Sequence, residues 1–129
     1  MALDDPVALV RPSDRVKGDP TPGMVREQAI ATNVSWAGLV RTEAGMISGW
    51  HHHGDYETTV FVVKGKLRME SGPGGAMIVD AVPGDFVFVP PGAVHRESNP
   101  ADTESQVVVV RAGHGPAVFN VDGPAPIGG

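Results

Sequence analysis

The feature that most constrains this chain is the cadence of its middle, where short runs of β-branched and aromatic residues each end at glycine or proline. Val60-Phe61-Val62-Val63 stops at Lys64-Gly65-Lys66, which predicts a hairpin turn into Leu67-Arg68-Met69-Glu70. The loop Ser71-Gly72-Pro73-Gly74-Gly75 leads to Ala76-Met77-Ile78-Val79. Pro83-Gly84 then turns the chain into Phe86-Val87-Phe88-Val89, which Pro90-Pro91-Gly92 ends. Gln106 to Arg111 holds a run of valines, Val107 to Val110, as expected of a strand buried on both faces. No segment sustains the helical apolar period of about 3.6 residues, so little helix is expected. Many short strands at near-even spacing predict an all-β sandwich or barrel.

A chain of 129 residues suits one such domain. Residues 1–28 carry Pro6, Pro12, Pro20 and Pro22 among scattered charges and read as an irregular N-terminal arm. Residues 29–112 form the barrel. Residues 113–129 are a Gly/Pro-rich tail, with one short strand expected at Ala117 to Val121. A net charge of -5 argues against general nucleic-acid binding and against docking on anionic membranes. No stretch approaches the roughly 20 apolar residues of a membrane span. Nothing at the N-terminus resembles a signal peptide, so a cytoplasmic location is expected. The absence of cysteine leaves any metal to nitrogen and oxygen ligands.

Candidate ligands are present. His51 and His53 are two residues apart, so on an extended strand their imidazoles share a face while His52 points away. His95 follows a turn, a strand and a proline-glycine stop. The segment Gly84 to Asn99, GDFVFVPPGAVHRESN, resembles the second cupin motif, G-x5-P-x-G-x2-H-x3-N, at every defined position. Gly45, His51, His53 and Gly65 resemble the first, G-x5-H-x-H-x3,4-E-x6-G. The resemblance implies a double-stranded β-helix, the jelly-roll or cupin barrel, holding one divalent metal on His51, His53 and His95.

The carboxylate of the first motif is less regular. Glu57 has the right spacing from His53 but stands one residue too far from Gly65, where the motif places Thr58. Strand alternation puts Thr58, Val60 and Val62 on one face and Glu57 and Thr59 on the other. Either a one-residue bulge turns Glu57 inward as the fourth ligand, or the site is three-histidine. Glu57 is included in the expected ligand set. His53-Gly54-Asp55 also has the H-x-D form of the 2-oxoglutarate oxygenases, which makes Asp55 a lesser candidate. Glu97 shares the parity of His95 and is expected to act as a proton acceptor, and Tyr56 as a hydrogen-bond donor near the metal strand. Trp36 and Trp50 are expected in the barrel wall. Arg68, Arg96 and Arg111 are candidates to pair with a substrate carboxylate.

An imidazole-rich set suits iron, manganese, zinc, nickel or copper and leaves coordination positions open for a small-molecule substrate. The resemblance implies a metal-dependent enzyme acting on a small oxygenated organic molecule, with a dioxygenase as the first expectation. A non-redox cyclase, isomerase or lyase, and a non-catalytic ligand-binding module, are the alternatives. Runs apolar on both faces, together with the N-terminal arm, predict a homodimer.

Overall fold

The computed structural model describes residues 4–18 and 22–126. Eleven strands account for nearly all of its regular structure: β1 (Val16–Lys17), β2 (Met24–Ala31), β3 (Ser35–Thr42), β4 (His51–His52), β5 (Glu57–Lys64), β6 (Leu67–Ser71), β7 (Met77–Ala81), β8 (Phe86–Val89), β9 (His95–Ser98), β10 (Ser105–Ala112) and β11 (Phe119–Asn120). The helical content among the described residues is two single 3-10 turns, Pro12–Asp14 and Pro73–Gly75. β2 begins at Met24, within the stretch read from sequence as the arm.

The strands form a six-stranded sheet, β1-β2-β3-β10-β5-β8, and a five-stranded sheet, β11-β4-β9-β6-β7. All strand pairings are antiparallel. The inward residues of both sheets meet in one core, built on Val40, Val60, Val62, Leu67, Met69, Ala81, Val87, Val89, Val107 and Val109. This is the double-stranded β-helix that the resemblance implies, within the all-β class that the short runs predict.

Two local expectations are corrected. Lys64-Gly65-Lys66 does not close a hairpin, because β5 already pairs with β10 on one edge and β8 on the other. The turn instead carries the chain across to the second sheet, where β6 pairs with β7 and β9. Gly65 has φ of 78°, and a Cβ there would stand 2.9 Å from the Ser105 backbone, so a side chain would jam the crossing. The valine run of β10 is not buried on both faces. Val107 and Val109 are buried, whereas Val108 and Val110 are 36% and 44% exposed, because no other layer of the described chain covers the outside of the six-stranded sheet.

Candidate metal centre

His51 and His95 are brought together by strand pairing: they are direct Cα partners where β4 meets β9. His53 lies just beyond β4 and turns into the same space, with Gly54 (φ 58°) redirecting the chain after it. Glu97 sits two residues along β9 from His95, on the same inward face. All four side chains are buried, and their candidate ligand atoms lie within 4.8 Å of one another.

Each imidazole is held by a backbone carbonyl. Nδ1 of His51 meets the Gly49 oxygen at 3.1 Å, Nδ1 of His53 meets Ala117 at 2.7 Å, and Nδ1 of His95 meets Ala93 at 2.9 Å. A carbonyl only accepts, so each Nδ1 carries the proton, and each neutral ring is left with a lone pair on Nε2. Nε2 of His51 and of His95 are buried without a hydrogen-bond partner among the described residues. They face Glu97 Oε1 at 3.6 and 3.3 Å. Two nitrogen lone pairs and a carboxylate therefore converge with no donor between them. Such a set calls for a cation, and a divalent metal with nitrogen and oxygen ligands fits the donor chemistry.

The electrostatics keep these groups ready to coordinate. Burial lowers the His53 pKa to about 3, helped by the positive charge of Arg111 and by His95 and His51, and opposed only by the Ala117 hydrogen bond. Burial pushes the Glu97 carboxyl up, whereas hydrogen bonds and positive charge from His51 and His95 hold it well below the usual carboxylate range. Only protonated rings can supply these, so with both rings neutral a bound cation must take over that role. The base of β9 is braced as well: the Glu97 amide donates to Ser48 Oγ at 2.9 Å, and the Ser48 amide donates to the Glu97 carbonyl at 2.8 Å. Asn99, the last residue of the second motif, is buried and donates from Nδ2 to the Thr42 and Thr103 carbonyls. It ties the chain just after β9 to the end of β3 and to the loop before β10.

The structure separates the other candidates. Glu57 is exposed on the outer face of β5, while Thr58 takes the inward position. The alternation of β5 is unbroken there. The one register shift against β10 lies at the opposite end, beside Gln106/Val107, so no bulge turns Glu57 toward the histidines. The carboxylate that joins them is Glu97. Its signal in the sequence was the two-residue spacing from His95. Asp55 is exposed. Tyr56 donates its hydroxyl to the Gly115 carbonyl at 2.9 Å and lines a surface cleft with Trp36 and Gln28.

Trp36 donates to Gln28 and lies under the Arg111 guanidinium at 4.4 Å, and Trp50 lies under Arg96 at 4.6 Å. Both tryptophans are thus part of the wall, with cation–π partners. Arg68 pairs with Asp80 at 2.7 Å and Arg96 with Glu70 at 2.9 Å, outside the centre.

A barrel of this topology with three inward histidines defines a class, and comparison with known proteins agrees. The cupin domain family matches residues 38–111, more than half of the chain. The chain belongs to that family. Its fold is shared with the polyketide cyclase RemF from Streptomyces resistomycificus, at 19% identity and a TM-score of 0.73, over 89% of this chain and 85% of that one. KdgF from a Halomonas species aligns at 19% identity and a TM-score of 0.69, over 84% and 96%. A double-stranded β-helix protein from Klebsiella pneumoniae aligns at 22% identity and 0.67, over 87% and 90%. At these identities the likeness concerns the fold alone. No curated protein matches the chain.

Proposed function

We propose that this cupin is a metal-dependent enzyme acting on a small oxygenated organic molecule, and that His51, His53, His95 and Glu97 hold one divalent ion. The carrying observation is the convergence of two unpartnered Nε2 atoms and a carboxylate inside an apolar barrel. A divalent metal held by these four residues would supply Lewis-acid or redox chemistry toward dioxygen or a substrate oxygen. The carbonyl tethers fix the imidazoles in the ligating tautomer, and the surrounding valines exclude water. Glu97 Oε1, kept ionised, either completes the ligand set or takes a proton from the substrate.

Dioxygenation is the first reading, since imidazole-rich sites suit iron and manganese. The second is a non-redox cyclase, isomerase or lyase, favoured by the likeness to a polyketide cyclase and by a buried carboxylate placed to act as base. Metal analysis of the wild type beside a His51→Ala, His95→Ala double variant tests the shared claim. About one metal per chain in the first and none in the second is expected, and no metal in the wild type after reconstitution would refute it. Substrate-stimulated oxygen uptake by the iron form supports the first reading. Turnover by the zinc form under nitrogen supports the second.

A further inference from the structure

The barrel interior next to the histidines contains one small cavity that bears on what this centre accepts. It measures about 60 Å³, has mostly apolar walls that include Met69, Val79, Val87 and Val89, carries Ser71 and His95 as its polar lining, and opens to solvent past Phe88. Met69 comes from β6, Val79 from the edge strand β7, and Val87 and Val89 from the edge strand β8, so the space lies where the two sheets meet. Met69, Val87 and Val89 are buried, whereas Val79 is 45% exposed and forms the rim. At about 30 Å³ per water-sized group, the cavity holds roughly two or three carbon atoms. A benzene-sized ring, which needs about 150 Å³, would not be enclosed by it.

One strand over from this space, behind Val89, is a buried polar group with no assigned work. Thr58 occupies the inward position directly across from Val89. It is 2% exposed, and its Oγ1 has no hydrogen-bond partner among the described residues. A buried hydroxyl left unsatisfied is costly, and apolar cavities with one well-placed polar group are the usual form of small-ligand sites. Thr58 also stands where the first motif places a carboxylate, so this chain has put a neutral donor where a charged ligand was expected.

We propose that the substrate is a short-chain aliphatic compound with an oxygenated head. The head lies at the histidine cluster within reach of the Thr58 hydroxyl, and an arm of two or three carbons fills the cavity walled by Met69, Val79, Val87 and Val89. Size selection sits with Met69 at the floor and Val79 at the rim. This inference rests on the metal-centre reading for the head and on the cavity itself for the arm.

The test uses the cobalt(II)-loaded protein and the n-alkyl hydroxamates from aceto- to octano-, with binding read from the visible cobalt bands. Affinity should rise about fourfold per methylene while the arm still fits, then fall as it meets the Met69 wall. Met69→Ala should move the maximum to longer arms. Val79→Ala at the half-exposed rim should do the same, and it guards against a core variant that fails to fold. Thr58→Val should weaken every member by a similar factor, about three- to tenfold, with Thr58→Ser restoring it. Affinity that climbs unbroken to the octano- member, or a maximum that neither enlargement moves, would overturn the proposal. The metal-free protein gives an independent reading: ethanol and propanol should shift the Met69 methyl signal saturably and hexanol should not. No saturable shift with any alcohol rejects the cavity as an arm site. A protein that takes up no cobalt refutes the metal centre instead, and the alcohol titration still decides the cavity.

Discussion

At the scale of single residues, the centre is defined by where protons can sit. With Nδ1 of each histidine committed to a carbonyl, metal binding needs no tautomer change, and among the described residues the one anionic ligand candidate beside the histidines is Glu97. Glu97→Gln should therefore weaken zinc binding by roughly ten- to a hundredfold, as losses around metal ligands commonly do. Glu57→Gln should leave it unchanged, because Glu57 points to solvent. Competition against a chromogenic chelator measures both, and equal losses in the two variants would reverse the assignment. His53 carries a second prediction. In the unfolded chain it titrates near its ordinary 6.5, but in the fold burial holds it neutral down to about 3. Below pH 6.5 the unfolded state thus takes up a proton that the folded state refuses, so metal-free stability should fall with falling pH, by up to about 1.4 kcal/mol per unit. Urea titrations at pH 7, 6 and 5 should show this slope, and His53→Asn should flatten it.

Whether a residue was legible in the sequence depended on periodicity. His51, His53 and His95 could be read because a two-residue spacing and a turn–strand–turn pattern are local. Glu57 misled because its distance from His53 suited the motif while its parity along β5 did not, and parity decides the face. The two-residue spacing of Glu97 from His95 puts them on one face, but its closeness to His51 depends on how β4 and β9 pair across the sheet. That register is a tertiary fact.

At the scale of elements, the C-terminal segment is the unexpected contributor. A short strand near Ala117 to Val121 was foreseeable, and β11 supplies it at Phe119–Asn120. Its work was not foreseeable, since a backbone carbonyl has no signature in the sequence. Ala117 accepts from His53, 64 positions earlier in the chain. Phe119 stacks on His52 at 4.8 Å and 13°, and the Val121 amide donates to the Trp50 carbonyl at 2.9 Å. Gly54 is required beneath this clamp, because a Cβ there would stand 2.8 Å from the Phe119 ring. The segment therefore holds the ligand strand from outside while contributing nothing to the central core. Phe119→Ala should cost metal affinity, about tenfold or more, with only a small drop in the melting temperature of the metal-free protein. A large loss of stability with unchanged zinc affinity would show that β11 is ordinary packing.

At the scale of the whole molecule, the outside of the six-stranded sheet is the feature that the single chain leaves unresolved. Phe86 is 71% exposed, and Val63, Val108 and Val110 lie between 36% and 46%. Phe61 packs against Phe86 with ring centroids 4.9 Å apart. These side chains come from β5, β8 and β10, which are adjacent, so they form a continuous apolar surface rather than scattered exposures. The valine run of β10 makes sense if that surface is covered. We propose that a second copy of the chain covers it, since a face of this kind is self-complementary about a two-fold axis, and an isologous dimer removes both faces from water at once. Light scattering at micromolar concentration should then give twice the chain mass. Phe86→Lys with Val110→Lys places like charges across the joint and should yield folded monomers, with the histidine centre, on the other sheet or inward of it, still able to bind metal. A wild-type monomer under these conditions would remove the dimer. A dimer untouched by the two lysines would move the interface to another face, and the exposed valines of β10 would then need a different partner.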